Sequence, residues 1–177
     1  MKVAIAVFEG VHMLDLTGPA QIFYEGIKMG SDIQVEFIST SLDKMTYISS
    51  AGLSFTVTRE FQRIELSEGD IIIVPGLDYQ LISDELFLNS IRPFIVWLKE
   101  QNAKGVRICS VCTGAFILGE AEIIKDKSCT THWRYCDRLI EKYPGIKIHK
   151  KRLFVEDGNI YTTAGMSSGI DLSLYLI

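Results

Sequence analysis

Residues 107–116, Arg-Ile-Cys-Ser-Val-Cys-Thr-Gly-Ala-Phe, have the pattern of a buried strand that passes through a sharp turn into a helix, with Cys112 at the turn. Such a nucleophile elbow requires small residues two places before and two places after the nucleophile, because the backbone and the helix are crowded there. Ser110 and Gly114 occupy those two positions. The helix N-terminus that follows is expected to favour the thiolate form of Cys112. This stretch therefore predicts the catalytic corner of an α/β enzyme.

The segments around this corner alternate between buried strands and helices. Apolar runs at 2–8 and 70–74 predict strands that are buried on both faces, as in a parallel sheet. A helix is predicted to begin at Pro19, and another, with one apolar face, to span 84–102. The other predicted elements are a strand at 33–39, a hairpin at 46–58, a strand at 105–111, a short helix to 121, a strand-like segment at 128–133, a helix at 134–143, a hairpin at Asp157-Gly158 and a last helix from Gly165. This order predicts a single α/β domain over 1–177, a three-layer sandwich around a mostly parallel sheet.

Composition narrows the class of protein. The chain has 177 residues, a formal net charge of −4 and no basic stripe, so we expect no nucleic-acid binding by this chain. No apolar run approaches the ~20 residues that cross a membrane, and no signal peptide is evident. Four cysteines without an export signal predict free thiols in the cytoplasm. The chain ends on the apolar stretch 170–177, where no helix cap is evident, so we expect the native polypeptide to continue.

The cysteines also admit other interpretations. Cys109 and Cys112 form a C-x-x-C, and Cys129 and His132 form a C-x-x-H after 16 intervening residues, a spacing that resembles a zinc site. We disfavour zinc because Cys109 lies inside an apolar strand rather than on an exposed turn. We disfavour a thioredoxin-like dithiol because such a pair begins after its strand. An inert buried cysteine is the structural alternative. A nucleophilic Cys112, with no metal and no cofactor, is the favoured interpretation.

Two further segments are candidates for catalysis. Pro75-Gly76-Leu77 ends a buried strand, so the backbone N–H of Gly76 or Leu77, with that of Thr113, is predicted to form an oxyanion hole at the carboxyl edge of the sheet. The alternative is an ordinary strand-ending turn. Asp15 lies between two leucines just after the first strand. It is either a carboxylate that stabilises a helix start or a group that carries a proton for the thiol.

Three histidines could assist Cys112. His132, twenty residues after the cysteine in a strand-like segment, is the strongest candidate, because His12 lies next to a loop and His149 lies in a charged hairpin. A structural histidine is the alternative, and no acidic residue close in sequence suggests an orienting partner, so a full triad is unsupported. The positions of loop residues predict a substrate pocket lined by Tyr79, Trp133 and Met166.

These motifs, taken in order along the whole chain, resemble those of the ThiJ/PfpI superfamily. They are Phe8-Glu9-Gly10, Leu14-Asp15-Leu16-Thr17-Gly18-Pro19, Val74-Pro75-Gly76, residues 109–115, Thr130-Thr131-His132-Trp133 and residues 163–172. The resemblance implies a flavodoxin-like, class I glutamine amidotransferase-like fold. The branch that it most resembles holds isonitrile hydratases and the ligand-sensing amino-terminal domains of AraC-type regulators.

The resemblance also implies roles for residues. In the isonitrile hydratase pattern, Asp15 would handle the proton or the water, Cys112 would attack the substrate carbon and Thr113 would hold the intermediate. Protease members of the superfamily have a histidine directly after the cysteine, and Thr113 stands there instead. Glutaminases of this fold carry a late His-x-Glu that this sequence lacks. Members commonly form homodimers.

Three functions follow from the sequence. The first is a cysteine-dependent hydratase or hydrolase of a small molecule, most concretely one that adds water to an isonitrile to give an N-substituted formamide. The second is a non-catalytic domain that senses a metabolite for a transcription regulator, which predicts a helix-turn-helix domain further along the polypeptide. The third is an intracellular protease- or amidase-like protein, or a redox or aldehyde-stress protein whose Cys112 oxidises reversibly.

Overall fold

The computed structural model of the protein describes residues 1–177 and contains eleven strands. They are β1 (Lys2–Val7), β2 (Gln34–Ser39), β3 (Thr46–Ile48), β4 (Ser54–Thr56), β5 (Arg59–Glu60), β6 (Ile71–Val74), β7 (Arg107–Ser110), β8 (Ser128–Cys129), β9 (Lys147–Ile148), β10 (Phe154–Asp157) and β11 (Ile160–Thr163). Seven of them form one sheet in the order β10-β11-β7-β6-β1-β2-β5. The remaining strands form two small pairs, β3 with β4 and β8 with β9.

The large sheet is parallel except at one edge. Every neighbouring pair from β11 to β5 is parallel, and only β10 and β11 are antiparallel. Their turn contains Gly158 at φ +68°, a left-handed conformation that glycine adopts without strain. The predicted hairpins at Asp157-Gly158 and at 46–58 are both confirmed.

Seven helices complete the fold. They are α1 (Met13–Lys28), α2 (Tyr79–Ile82), α3 (Glu85–Ser90), α4 (Arg92–Ala103), α5 (Ala115–Glu120), α6 (Cys136–Lys142) and α7 (Ser168–Leu176). The crossover through α1 joins β1 to β2 in one direction along the sheet, and the crossover through α4 joins β6 to β7 in the other. Because such crossovers are right-handed, the two helices cover opposite faces. The predicted three-layer α/β sandwich is confirmed.

The core follows the predicted buried strands. A single cluster of 45 buried residues fills both sides of the sheet. Residues 3–7 of β1 are completely buried, and residues 71–74 of β6 are buried in the same way. No helix combines the length and the apolar character that a bilayer crossing requires.

The start of α1 differs from the prediction. The helix begins at Met13, so Pro19 lies inside it rather than at its first position. Asp15 favours a helix start at Met13, because it supplies a carboxylate to the first turn, where the helix dipole favours negative charge. Gly18, which has no Cβ, relieves the clash that Pro19 imposes on the preceding residue. Gly18 also packs closely against Ile170 of α7.

The single helix predicted at 84–102 is wrong, because it is two helices that meet at Ile91. Pro93 in the first turn of α4 explains the break, since proline has no N–H and cannot extend a helix from the preceding turn. The strand-like segment at 128–133 is also shorter than predicted. Only Ser128–Cys129 pair as a strand, and Trp133–Tyr135 form a 3-10 turn.

Candidate active site

The candidate site lies at the carboxyl ends of β1, β6 and β7, which are neighbours in the middle of the sheet. The chain leaves β1 toward one edge and β6 toward the other, so this is the topological switch point where open α/β sheets bind ligands. His12 and Asp15 follow β1, Gly76 follows β6 and Cys112 follows β7.

The predicted nucleophile elbow is confirmed as a local structure. Cys112 has φ +55°, a left-handed conformation that is strained for a residue with a side chain. It opens a 3-10 turn that leads directly into α5. The Thr131 hydroxyl donates to the Cys112 carbonyl oxygen at 2.8 Å. A Cβ atom on Gly114 would overlap the carbonyl oxygen of Val74, so only glycine fits there.

The side chains that surround the thiol come from the start of α1. His12, Asp15 and Cys112 each place one nitrogen, oxygen or sulfur atom within 4.8 Å of the others. His12 Nδ1 lies 3.7 Å from Asp15 Oδ2, and His12 Nε2 lies 3.3 Å from Asp78 Oδ1. Asp15 is completely buried, and its Oδ1 has no hydrogen-bond partner. An acceptor that is buried beside a thiol in this way can take its proton.

The charges in this group are strongly coupled. The Asp15 carboxylate, followed by Cys112, raises the pKa of His12 to about 10, so the imidazole is a cation at neutral pH. Burial raises the pKa of the Cys112 thiol, and the neighbouring His12 imidazole only partly opposes this effect. The expected preference for the thiolate from the helix N-terminus is therefore opposed by burial, which favours the protonated thiol. A protonated thiol must lose its proton before the sulfur attacks.

The two amides after β6 are occupied by side chains. The Gly76 N–H donates to Asp15 Oδ2 at 3.1 Å, and the Leu77 N–H donates to Thr113 Oγ1 at 2.9 Å. The Thr113 hydroxyl in turn donates to the Leu77 carbonyl oxygen at 2.6 Å. Neither amide is free to bind an oxyanion, contrary to the prediction for Gly76 and Leu77. The Thr113 N–H, by contrast, faces the Cys112 sulfur and lowers its pKa.

His132 is not part of this group. Its Nδ1 accepts a hydrogen bond from the Arg134 N–H at 3.4 Å, and its ring packs near those of Trp133 and Tyr135. Burial lowers the pKa of His132, which favours the neutral ring. The imidazole beside the cysteine is that of His12, which the sequence interpretation ranked lower. The signal that could have found it is its i,i+3 spacing from Asp15, which places both side chains on one face of a helix start.

The other predicted residues are dispersed. Tyr79 is partly buried and lines a cleft of about 400 Å³ next to the site. Trp133 and Met166 are 69% and 49% exposed and belong to the outer surface. Neither this cleft nor two larger clefts, of about 700 and 540 Å³, is lined by His12, Asp15 or Cys112.

The four cysteines are free and buried. Of the residues in the zinc-like spacing, only Cys112 belongs to a group of donors close enough to share an ion, and that group is completed by His12 and Asp15. Nitrogen, oxygen and sulfur donors of this kind suit a thiophilic ion, which would have to compete with the contacts between Asp15, His12 and Gly76.

Comparison with known proteins agrees with this geometry. The model of the DJ-1/PfpI family matches residues 1–177. The chain belongs to the DJ-1/PfpI family. It is 35% identical over 178 residues to isonitrile hydratase of Pseudomonas putida, and 31% identical over 139 residues to the HTH-type transcriptional regulator CdhR of Pseudomonas aeruginosa. Its fold is similar to that of a ThiJ/PfpI family protein from Pseudomonas syringae, with a TM-score of 0.78 and 28% identity.

The matches cover different shares of these relatives. The DJ-1/PfpI chain is matched over 99% of its length by isonitrile hydratase, of which it spans 70%. The match to CdhR covers 77% of this chain and 38% of CdhR. The match to the Pseudomonas syringae structure covers 99% of this chain and 66% of that protein. The family therefore contains both an enzyme and a regulator that resemble this chain.

Proposed function

We propose that this DJ-1/PfpI protein is a cysteine-dependent hydratase or hydrolase of a small molecule, and that its most concrete reaction is isonitrile hydration. The observation that carries the proposal is the completely buried Asp15 carboxylate, which lies in one group with the Cys112 thiol and has one oxygen, Oδ1, without a hydrogen-bond partner. The similarity to isonitrile hydratase over nearly the whole chain supports the same reaction.

In the proposed reaction, the Cys112 sulfur bonds to the terminal carbon of the isonitrile. Asp15 accepts the thiol proton and delivers it to the same carbon, which gives a thioimidate. Water then adds across the C=N bond, so that its oxygen bonds to the carbon and one of its protons goes to the nitrogen. The C–S bond breaks as the remaining hydroxyl proton passes to sulfur, which releases the N-substituted formamide and restores the thiol. General acid–base transfer of this kind contributes about 10²–10⁴-fold to a rate. His12 stabilises the carboxylate and the thiolate electrostatically, because its ring is cationic at neutral pH.

Thr113 has a narrower role than the resemblance implies. Its hydroxyl hydrogen is committed to the Leu77 carbonyl oxygen, so the side chain positions the loop after β6. We assign the contact with the developing charge to the Thr113 backbone N–H, which faces the sulfur.

A screen of isonitriles, amides and glyoxals tests the proposal. We expect formamide product from at least one isonitrile, complete loss of turnover in Cys112→Ala, and a loss of about 10²-fold or more in Asp15→Asn. Cys136→Ala is the matched control, because it removes another buried thiol from outside the group. If Cys112→Ala converts every substrate of the native protein at the native rate, the mechanism is refuted.

A second candidate function is a sensor domain that binds a metabolite in the same place without converting it. The 31% identity to CdhR favours it. Thermal denaturation with the same compounds distinguishes the two functions. A ligand that raises Tm in both the native protein and Cys112→Ala, while no product forms, supports the sensor and contradicts the enzyme.

We further propose a homodimer in the cytoplasm that binds no nucleic acid through this chain, by analogy with the family and from the acidic charge. Light scattering after size-exclusion chromatography would give twice the 19.9 kDa chain mass. A single-chain mass at micromolar concentration would contradict the dimer.

A further inference from the structure

A polar cleft of about 400 Å³ opens beside the cysteine site. It is lined by Asp78, Tyr79, Gln80, Arg134, Tyr135 and Arg138. Asp78 joins the two places, because its Oδ1 lies 3.3 Å from Nε2 of His12, and a ring nitrogen of His12 lies within 4.8 Å of the Cys112 sulfur. The Tyr79 ring also packs edge-on against Phe116, four residues after the cysteine. Two side chains, those of Asp78 and His12, therefore link the cleft to the thiol.

Two arginines of this cleft are held by aromatic rings. The Arg138 guanidinium carbon lies 4.7 Å from the centroid of Tyr79 and 5.9 Å from that of Tyr135. Those two rings are themselves stacked, with centroids 4.9 Å apart and planes inclined by 12°. The Arg134 guanidinium carbon lies 5.5 Å from the centroid of Trp133. Stacking of this kind orients a guanidinium group and leaves the N–H groups on its edge available.

Neither arginine is neutralised within the protein. The chain carries more acidic than basic residues, and ten close pairs join its carboxylates to other cationic groups. Arg134 and Arg138 take part in none of these pairs. Asp78 is the single carboxylate that lines the cleft, and it contacts His12 instead. Two oriented cations without a carboxylate partner thus face one cleft.

We propose that Arg134 and Arg138 bind the carboxylate of an anionic small molecule, whose reactive end extends past His12 to Cys112. The planar fork of a guanidinium matches a carboxylate through two parallel hydrogen bonds. A monoanion is favoured over a dianion because Asp78 also lines the cleft and would repel further negative charge. The inference rests on the proposed function only in its use of Cys112 as the reacting group, and it narrows the substrate class to carboxylates.

Alkylation of Cys112 tests the inference without any need for turnover. The probes are iodoacetylglycine and iodoacetylglycinamide, which have the same shape and differ in one negative charge. In both, the sulfur bonds to the methylene carbon, iodide leaves and the thiol proton passes to the buffer. Mass spectrometry of the Cys112 peptide measures each rate, with Cys112→Ala as the blank.

We expect the charged probe to react with Cys112 about tenfold faster than the neutral one, the effect of one charge-assisted hydrogen bond. Arg134→Gln and Arg138→Gln should each remove most of this preference, and Arg138→Lys should retain part of it. Arg63→Gln is the control, because it removes the same charge from the opposite edge of the sheet, where Arg63 pairs with Glu60.

Equal rates for the two probes in the native protein overturn the inference, as does a preference that survives both glutamine substitutions or a failure of either probe to reach Cys112. These outcomes are separate from the fate of the proposed function. If the protein has no hydratase activity but reacts faster with the charged probe, the proposed carboxylate site stands and the proposed reaction is refuted. If the protein hydrates isonitriles but alkylates equally fast with both probes, the proposed reaction stands and the proposed carboxylate site is refuted.

Discussion

A methyl group added at Gly76 probes the centre of the site directly. In Gly76→Ala, the new Cβ would overlap Asp15 Oδ2 and would lie 3.0 Å from both Cys112 Cβ and Thr113 Oγ1. Non-bonded atoms pack at about 3.5–4.0 Å, so the carboxylate must move by roughly an ångström. That movement breaks the 3.1 Å hydrogen bond from the Gly76 N–H. Overpacking costs about 1–3 kcal/mol, and the loss of a hydrogen bond to a buried charge costs about 1.5–3 kcal/mol.

Urea unfolding should therefore give a free energy of unfolding lower by about 2.5–6 kcal/mol, and thermal unfolding a Tm lower by roughly 5–24 °C. Gly165→Ala is the matched control, because its Cβ would meet only the His132 ring, at an ordinary 3.5 Å. A double-mutant cycle isolates the overlap. In Asp15→Ala the obstructing carboxylate is absent, so adding Gly76→Ala should cost at least 1 kcal/mol less than it does in the native protein (~1–3 kcal/mol of coupling is usual between contacting residues). Additive costs would refute the geometric argument.

Three further perturbations test the same group. The Asp15 carboxylate stabilises the fold through the His12 cation, fully below the ordinary histidine pKa of 6.5, and this stability should be lost as the pH rises through about 10. The free energy of unfolding, measured from pH 6 to 11, should show this loss in the native protein and not in Asp15→Asn. Cys112→Gly should be more stable than Cys112→Ala by about 1 kcal/mol in chemical denaturation, because glycine relieves the strain at φ +55°, and equal stabilities would contradict that strain. Gly114→Ala should yield little folded protein or unfold at least 3 kcal/mol more easily, since the added methyl group meets the rigid backbone of Val74, and near-native circular dichroism and stability would exclude the clash.

The parts of the fold that were predicted correctly are those encoded by neighbouring residues. The buried runs of β1 and β6 and the two hairpins depend on local periodicity and turn chemistry, so they follow from the sequence. The errors arose where two local signals compete. Pro19 predicts a helix start, although its helix begins six residues earlier. The apolar pattern of 84–102 is continuous and predicts one helix, although Pro93 interrupts it.

The candidate site also has one part that the local sequence predicts and one part that it does not. The sequence predicts the elbow around Cys112 because its strand, turn and helix are consecutive in the chain. The contact that leaves no room for a Cβ at Gly114 comes instead from Val74 of the neighbouring strand β6. The choice between His12 and His132 could not be made locally. His12 precedes the cysteine by 100 residues and reaches it only because β1 and β7 both flank β6 and end at the same edge of the sheet.

By itself, the sequence determined the α/β architecture, the position of the strained cysteine and the family, because hydrophobic periodicity and consecutive motifs suffice for these. Only the tertiary structure decided the protonation and the hydrogen bonding of the side chains in the site. It brings the cation of His12 to Asp15, engages the amides of Gly76 and Leu77 with side chains from other elements, and buries the Cys112 thiol. Protonation and hydrogen bonding depend on distances between groups far apart in the chain, and those distances exist only after the parallel strands have assembled.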